Sequence, residues 1–210
     1  MTKRLTKIGV NPDFQELSSF VHELPTVFET GGKVIYKGRN ELKEFDVEGK
    51  KLIVKSYQLP HLLNRIIYNF FRASKAKRSY SYALMLRKLG IGSPAPVGYY
   101  STGSWLLFGR SYFVCLKSDC PYTYRDFEKT VFPNQEQILR AIARTTAMLH
   151  ENGLLHKDYS AGNILFRTID EKVEVEIIDL NRMRFGNVDI EAGCKKFERL
   201  PGTRDELAIL

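Results

Sequence analysis

Long apolar runs are missing from this 210-residue sequence, and cysteine is scarce. No stretch of about eighteen apolar residues occurs, so we expect no membrane-spanning helix. The first five residues lack the apolar core and cleavage site of a secretory signal, so we predict no signal peptide. The three cysteines are odd in number and have no metal-type spacing, which favours free thiols in a reducing cytoplasm; they are Cys115, Cys120 and Cys194.

Acidic residues are missing from one long span of the chain. From Lys50 to Ser118 there are twelve Lys or Arg and no Asp or Glu, whereas the rest of the chain carries 20 basic and 24 acidic residues. A solvated surface usually mixes both signs, so this acid-free span indicates an anionic partner. The phosphates of a nucleotide, an anionic lipid surface and a nucleic acid would each meet that requirement.

Alternating apolar residues predict an antiparallel sheet in the first half of the chain. Residues 12–23 have helical spacing after Asn11, a good N-cap, and Pro25 follows the predicted end of that helix. The segment Pro60–Arg72 has the pattern of a basic amphipathic helix, which either lies on an anionic membrane or packs its apolar face on the core. The other predicted elements are strands at Lys33–Lys37, Leu42–Val47, Lys51–Tyr57, Val97–Tyr100, Trp105–Leu107 and Tyr112–Leu116, and a helix at Lys75–Leu89.

A polar linker at Lys117–Pro121 separates this half from a more helical second half. Asn134 and Gln137 form a capping-box pattern that predicts the start of a long helix. The pair Asn152–Gly153 predicts its end. A β-hairpin is predicted further on, with strands Ile164–Phe166 and Val173–Leu180.

Between that helix and that hairpin lies a loop that runs from His156 to Asn163 with Asp158 inside it. The spacing His-x-Asp-x4-Asn is that of a phosphotransferase catalytic loop, in which the aspartate orients the acceptor hydroxyl and the asparagine binds a metal ion. Taken alone, an Asp and an Asn in a glycine-containing turn are more often ordinary loop residues. Asp179 strengthens the interpretation, because the hairpin brings it opposite Asn163, where both side chains would bind one metal ion.

Lys55, at the end of an apolar strand, is either a solvated edge lysine or a lysine aimed at a phosphate. The order of a turn at Gly38, Lys55, a helix, a linker, a long helix, the Asp158 loop and Asp179 resembles the protein-kinase-like fold over about residues 30–185. Within that fold the chain is similar to the lipopolysaccharide core kinases, the Kdo/heptose kinase family. The segments that carry this likeness are Tyr36–Asn40, Ser74–Tyr80, Gly90–Pro96 and Ile178–Met183.

The resemblance implies an α+β fold of two lobes, with an antiparallel sheet in the N-lobe and a small helical C-lobe. Residues 1–117 would form an N-terminal helix and the N-lobe. Residues 118–210 would form a minimal or truncated C-lobe, and the two lobes together would make one kinase-like domain.

The resemblance also implies ATP and Mg²⁺ as cofactors, and it assigns roles to individual residues. Asp158 would orient the acceptor hydroxyl and Lys55 would reach the α- and β-phosphates, which makes both of them catalytic. Asn163 and Asp179 would bind Mg²⁺. The nucleotide-binding residues would be Gly38, Arg39, Asn40, Lys55, Leu116, Lys117 and Ser118, the last three through the backbone.

The sequence departs from the usual kinase pattern in several places. The glycine-rich loop is reduced to Gly38, Ser160 stands where Ser/Thr protein kinases carry a lysine, and Leu180-Asn181 replaces Phe-Gly after the metal-binding aspartate. No Ala-Pro-Glu follows, so a peptide-docking segment is absent. The helix that should supply a glutamate to Lys55 has Ser79–Tyr82 at the place of the acid.

These features predict a bacterial ATP-dependent kinase that phosphorylates a sugar hydroxyl of the lipopolysaccharide inner core, on Kdo or heptose. We expect a cytoplasmic protein, peripheral on the inner face of the inner membrane, with the core saccharide and an anionic membrane surface as partners. The missing glutamate leaves open a catalytically weak pseudokinase or nucleotide-binding interaction module, and the acid-free span leaves open an RNA-associated kinase-like protein. Intact Asp158, Asn163 and Asp179 weigh against the first alternative, and the lack of an aromatic-rich RNA-binding motif weighs against a nucleic-acid partner.

Overall fold

The computed structural model describes residues 5–58, 73–103, 108–170, 172–195, 197, 200–202 and 209–210. The chain divides into two compact units: residues 1–84 with 95–117 belong to the first, and residues 85–94 with 118–210 belong to the second. The predicted helix Pro60–Arg72 and the predicted strand Trp105–Leu107 lie outside the described residues.

The first unit is built on a six-stranded sheet in which every described pair of neighbouring strands is antiparallel. The strand order is β1-β5-β6-β4-β3-β2, so the strand nearest the N-terminus lies at one edge. The sequence analysis did not predict that first strand, in which an exposed half precedes a partly buried one. The strands are β1 (Leu5–Val10), β2 (Lys33–Lys37), β3 (Glu41–Val47), β4 (Lys50–Tyr57), β5 (Pro96–Gly103) and β6 (Phe108–Leu116).

The helical segment after β1 is broken into three short pieces. A 3-10 helix at Pro12–Leu17 leads into α1 (Ser18–His22) and then α2 (Leu24–Thr30). Asn11 caps the first piece as predicted, accepting from the Asp13 N–H at 3.2 Å. The helix predicted over residues 12–23 ends where expected, because α1 stops at His22, and Pro25 lies in the first turn of α2, where its missing N–H costs no hydrogen bond.

These helices bury their apolar side chains against the sheet. Burial of apolar area is the main favourable term in folding, so these buried side chains stabilise the packing of the three short helical pieces on the sheet. The buried cluster consists of Leu17, Val21, Leu24 and Phe28 from the helical segment and Leu52, Val54, Val97, Tyr112 and Val114 from the strands.

Helix α3 (Lys75–Lys88) carries the chain from the first unit towards residues 85–94. It ends as predicted before Gly90, whose φ of +72° is a left-handed conformation that glycine adopts without strain. The Ile91 N–H then donates to the Leu86 carbonyl at 2.9 Å, which closes the helix end. Residues 85–94 group with the second unit, whereas the sequence predicted them in the first lobe.

The second unit combines one long helix with two small antiparallel sheets, of order β10-β9-β7 and β11-β8. Its core joins the buried face of the long helix to the strands and to a cluster of aromatic rings around Phe166. The elements are β7 (Tyr122–Thr123), α4 (Gln135–Glu151), β8 (Leu154–His156), β9 (Ile164–Ile169), β10 (Lys172–Ile177), β11 (Met183–Phe185) and α5 (Ile190–Cys194).

The predicted capping box of α4 is wrong. Asn134 has φ −110° and ψ 37°, which is not the extended backbone that an N-cap requires, and its amide donates instead to the Thr168 hydroxyl at 3.1 Å. A capping box is present earlier, where Thr123 and Asp126 bond each other's backbone N–H groups at the start of a 3-10 helix.

Two expected absences concern the membrane and the cysteines. None of the helices in the described part of the chain is long and apolar enough to cross a membrane. The three cysteines, all of which are described, form no disulfide with one another. Burial raises the pKa of the Cys120 thiol to about 11, so this thiol is protonated at neutral pH.

Gly92 is the glycine whose replacement should damage the second unit most directly. Its carbonyl accepts from the Ile177 N–H at 2.9 Å, and a Cβ at this position would lie 1.9 Å from the Val175 carbonyl oxygen. Gly92→Ala should therefore push strand β10 away and lower the free energy of unfolding by about 1–3 kcal/mol, measured by urea denaturation.

The matched control is Gly31→Ala, because a Cβ there meets its nearest neighbour at 3.5 Å and the φ of −144° suits any residue. This control should change the unfolding free energy by less than about 0.5 kcal/mol. Equal stability of the two variants would contradict the close approach at Gly92.

Candidate active site

His156 joins the predicted catalytic loop to the strand end that carries Asp179. Its side chain is 1% exposed, its Nδ1 accepts from the Asp158 N–H at 3.1 Å, and its Nε2 lies 3.1 Å from the Ile178 carbonyl oxygen. These partners assign the neutral tautomer with the proton on Nε2. Burial lowers the pKa of His156, which keeps the ring neutral near pH 7.

Asn163 closes the other end of the loop. Its side-chain amide donates to the Asp158 carbonyl at 2.8 Å, and its own carbonyl accepts from the Ile178 N–H at 3.0 Å. The amide nitrogen is thereby used inside the loop, and the amide oxygen is the atom of this side chain that suits a cation. Asn163 and Ile178 are held together by a main-chain bond, so Asn163 lies next to the residue that precedes Asp179.

Asp179 begins a tight turn. It has φ 58° and ψ 46°, a left-handed conformation that aspartate tolerates better than most residues, and the Asn181 amide donates to its Oδ1. A 3-10 helix at Leu180–Arg182 follows, and β11 then pairs with β8, with Met183 opposite His156. Because β8 leads into the loop, the loop and the turn are held by the same two-stranded pair.

The same turn provides a charge that reaches the loop. Arg182 Nη1 lies 3.3 Å from Asp158 Oδ2, with side chains that are 55% and 39% exposed respectively. Asn181 and Arg182 belong to a segment that carries the family likeness, but the sequence predicted no contact for either side chain. The hydrogen bonds of His156 were missed in the same way, although a histidine two residues before the aspartate was a signal for them.

The donor set can be tested for its fit to Mg²⁺. Among the described residues there is no cluster of three or more His, Cys, Asp or Glu side chains that would bind a metal ion by itself. Mg²⁺ usually takes only one or two protein ligands in nucleotide sites and completes its shell with phosphate and water oxygens. One carboxylate from Asp179 and one amide oxygen from Asn163 fit that requirement.

Tyr159 supports the loop from the helix side. Its ring is 1% exposed, and its hydroxyl bonds the Thr146 hydroxyl of α4 at 2.5 Å. Burial raises the pKa of Tyr159, so the phenol stays protonated. The loop between Asp158 and Asn163 is therefore fastened to the long helix as well as to the two-stranded pair.

The predicted phosphate lysine, Lys55, lies in the first unit on β4, opposite Leu42 and Phe113. Its Nζ is 5.4 Å from the ring centre of Tyr57. The Tyr57 hydroxyl in turn bonds Ser79 Oγ of α3 at 2.6 Å, in the segment where kinases usually carry a glutamate.

The other predicted nucleotide-binding residues of the first unit lie in two segments. Gly38, Arg39 and Asn40 form the turn between β2 and β3, where the Gly38 N–H donates to the Asn40 carbonyl at 3.1 Å. Leu116 is the last residue of β6 and Lys117 follows it. Their N–H groups donate to the carbonyls of Ala95 at 2.9 Å and Lys51 at 2.8 Å, respectively.

Ser118 belongs to the second unit. Its hydroxyl donates to the Glu176 carboxylate and accepts from the Cys120 N–H at 3.0 Å. Burial raises the pKa of Glu176. The structure thus brings Asp158, Asn163 and Asp179 together in the second unit, and it assigns the predicted nucleotide-binding residues other than Ser118 to the first unit.

Comparison with known proteins gives one family and several structural relatives. The sequence profile of the "Lipopolysaccharide kinase (Kdo/WaaP) family" matches residues 37–200. No curated protein sequence matches significantly.

Many solved structures are similar to the chain, among them the following two. One is WaaP in complex with acyl carrier protein, at a TM-score of 0.68 and 16% identity, over 97% of this chain and 86% of that chain. The other is the Rio2 kinase–ADP/Mg²⁺–phosphoaspartate complex from Chaetomium thermophilum, at a TM-score of 0.60 and 17% identity, over 94% of this chain and 67% of that chain. At these identities the likeness shows the fold alone, and the predicted protein-kinase-like fold is confirmed.

The neutral state of His156 predicts a pH-dependent stability. Its pKa is lowered in the folded protein, so the unfolded chain takes up the proton first and stability falls as the pH drops below about 6.5. His156→Gln should lower the unfolding free energy at pH 7.5 and should also flatten its fall between about pH 7 and pH 5, measured by urea denaturation at each pH.

The control is His22→Gln, which removes an exposed imidazole from α1. An unchanged pH slope in His156→Gln would show that the buried imidazole does not titrate in this way.

Proposed function

The chain belongs to the lipopolysaccharide kinase (Kdo/WaaP) family, and on that premise we propose that it transfers phosphate from ATP to a sugar hydroxyl of the lipopolysaccharide inner core. Transfer of phosphate to a hydroxyl is the chemistry that the family name describes, and the predicted enzyme class is confirmed by this match. The acceptor sugar, Kdo or heptose, belongs to the proposal.

The observation that carries the proposal is the hydrogen-bonded frame around Asp158, Asn163 and Asp179. His156 connects the backbone of the loop to the residue before Asp179, and Asn163 connects the same two segments from the other side. Phosphoryl transfer needs positioning and charge neutralisation more than covalent chemistry, so a rigid arrangement of these groups is what the reaction requires.

In the proposed mechanism Asp158 orients the acceptor hydroxyl and accepts its proton, while the acceptor oxygen bonds to the γ-phosphorus of ATP and the bond from that phosphorus to the bridging oxygen breaks, which releases ADP. Asn163 and Asp179 would hold Mg²⁺ through an amide and a carboxylate oxygen. When bound, the metal ion neutralises the negative charge that the phosphate oxygens carry. Asn181 orients the Asp179 carboxylate through the hydrogen bond to Oδ1.

The first unit is proposed to bind the nucleotide. Lys55 contacts the α- and β-phosphates, and the turn Gly38–Asn40 covers them. The N–H groups of Leu116 and Lys117 already donate within the sheet, so we assign adenine to the remaining backbone groups of residues 116–118.

The sequence left two alternatives open, a pseudokinase and an RNA-associated protein, and each is supported by one feature. A pseudokinase is favoured by the absent helix glutamate, but Asp158, Asn163 and Asp179, the three groups that the proposal uses in the second unit, are all present in the hydrogen-bonded frame. An RNA-associated protein is favoured by the acid-free span alone. Family membership favours the kinase over both.

The proposed partners are the core saccharide and the anionic surface of the inner membrane. The similar WaaP was solved with an acyl carrier protein, and a carrier protein of that kind is a further partner that we propose for this chain. Residence on the cytoplasmic face of the membrane follows from the acceptor and from the acid-free span.

Separate roles for the two aspartates predict separate kinetic defects. Asp158→Ala should lower kcat on core saccharide by on the order of 100-fold or more, while the Kd for Mg²⁺-ADP stays within about threefold, because Asp158 acts on the acceptor. Asp179→Ala should weaken Mg²⁺-dependent nucleotide binding as well. Phosphate transfer from labelled ATP and calorimetric nucleotide titration give the two quantities.

Glu151→Ala, which removes an exposed carboxylate from the end of α4, is the matched control. Turnover by Asp158→Ala close to that of Glu151→Ala would overturn the role of the loop.

The acid-free span predicts binding to anionic lipid. Each basic side chain near such a surface contributes about 1 kcal/mol, and salt screens the attraction within a Debye length of about 10 Å at 0.1 M. The protein should therefore co-sediment with phosphatidylglycerol vesicles at low salt and be released as salt rises. Changing Arg65, Arg72 and Arg78 to Gln should weaken this binding.

A control with the same loss of charge changes three exposed lysines of the second unit, Lys129, Lys172 and Lys195, to Gln. Equal losses in both triple variants would show that only net charge matters. No more sedimentation than with neutral vesicles would remove the membrane from the proposal.

A further inference from the structure

Arg182 is the charged residue of the Asp179 turn that the proposed mechanism has not used. Its Nη1 donates to Asp158 Oδ2 at 3.3 Å, so a guanidinium contacts the carboxylate that is proposed to meet the acceptor. The two residues are 24 positions apart in sequence, and their contact therefore depends on the fold of the second unit.

The backbone on both sides of Arg182 is fixed. Leu180 and Asn181 precede it and are 4% and 7% exposed, and Met183, 6% exposed, follows it in the pair with His156. Only the side chain of Arg182 projects towards solvent. A long side chain on so rigid a base loses less conformational freedom in making an ion pair than one on a mobile loop would lose.

Exposure limits what this ion pair adds to stability. Pairs of partly exposed charges contribute little to folding, typically below about 1 kcal/mol, and the same holds for Arg140–Glu136 and Arg167–Glu174, which join neighbours on one helix and one hairpin. The contact between Arg182 and Asp158 differs from these because it constrains a proposed reacting group. We therefore expect this contact to affect the rate of the reaction more than the folding free energy.

We propose that Arg182 is a positioning residue that holds Asp158 Oδ2 and thereby fixes the orientation in which this carboxylate meets the acceptor hydroxyl. The inference rests on the proposed function, in which Asp158 meets the acceptor. A carboxylate that rotates freely presents its oxygens in many directions, whereas one held by a planar guanidinium presents a defined edge. Such restriction lowers the barrier because the reacting atoms already have the required geometry.

The turn also couples the two acids. Asn181 bonds Asp179 Oδ1 and the next residue, Arg182, bonds Asp158 Oδ2, so consecutive side chains hold the metal-binding acid and the acceptor-binding acid. A displacement of this turn would disturb both carboxylates together. Arginine suits this role better than lysine, because it offers several N–H donors in a fixed plane.

The test compares Arg182→Ala, Arg182→Lys and the wild type on purified core saccharide with Mg²⁺-ATP. Arg182→Ala should lower kcat by about tenfold to a hundredfold, while KM for ATP and KM for the saccharide stay within about threefold. Arg182→Lys should recover only part of kcat. Added guanidinium at millimolar concentration should raise kcat of Arg182→Ala, because it supplies the missing donor, and it should leave the wild type unchanged.

Arg184→Ala is the matched control, since Arg184 is an exposed arginine on β11 two residues away and no ion pair of its side chain is described. It should keep the wild-type kcat.

Unchanged kcat in Arg182→Ala would overturn the inference, and so would a raised saccharide KM at constant kcat, which would mean that Arg182 binds the acceptor. Weaker nucleotide binding, or a lower melting temperature without guanidinium rescue, would also overturn it. Absence of transfer by the wild type would refute the proposed function itself.

Discussion

The site depends on one buried imidazole that must remain neutral. His156 accepts a hydrogen bond from the Asp158 N–H and donates one to the Ile178 carbonyl, and a protonated ring could do only the second. Loss of either bond would leave a backbone group without its partner in a largely buried place, at a cost of about 1–3 kcal/mol. Burial enforces the neutral state by lowering the pKa of the ring. The histidine therefore maintains the distance between loop and strand.

From that bond the rest of the arrangement follows in the chain direction. Ile178 is fixed by His156 and by Asn163, so Asp179 must leave the strand at a defined point. Its left-handed backbone reverses the chain at once and returns β11 to β8, the strand that contains His156. The loop and the turn therefore form a closed series of contacts that begins and ends at His156. This explains why a unit with only short strands can hold three polar side chains in fixed positions.

The sequence predicted the parts of this arrangement that depend on local spacing. The interval from His156 to Asn163, and Asp179 at the end of an apolar run, follow from patterns of polarity that a sequence displays directly. The pairing of β11 with β8 was not predictable, because three residues give too short a period and their partner lies 27 positions away, as Met183 does from His156. The helix α4 starts at the predicted place, but its side-chain cap was mispredicted for a related reason: the Asn134 side chain bonds Thr168, a residue distant in sequence. Such a tertiary bond overrides a local capping preference.

The missing helix glutamate has a structural counterpart in the first unit. The span from Lys50 to Ser118 has no acid, so α3 cannot give Lys55 a carboxylate partner. It gives Tyr57 a hydroxyl partner instead: Ser79 holds the buried Tyr57 ring, and the Lys55 ammonium lies over that ring. A cation–π contact is worth roughly 0.5–2 kcal/mol, and it leaves the positive charge in place, whereas a carboxylate on the helix would offset it. An aromatic ring thus contacts the lysine, and in the proposed function the ammonium group would still attract phosphate. The departure from the kinase pattern is therefore compatible with nucleotide binding, and the absent acid by itself does not argue for an inactive protein.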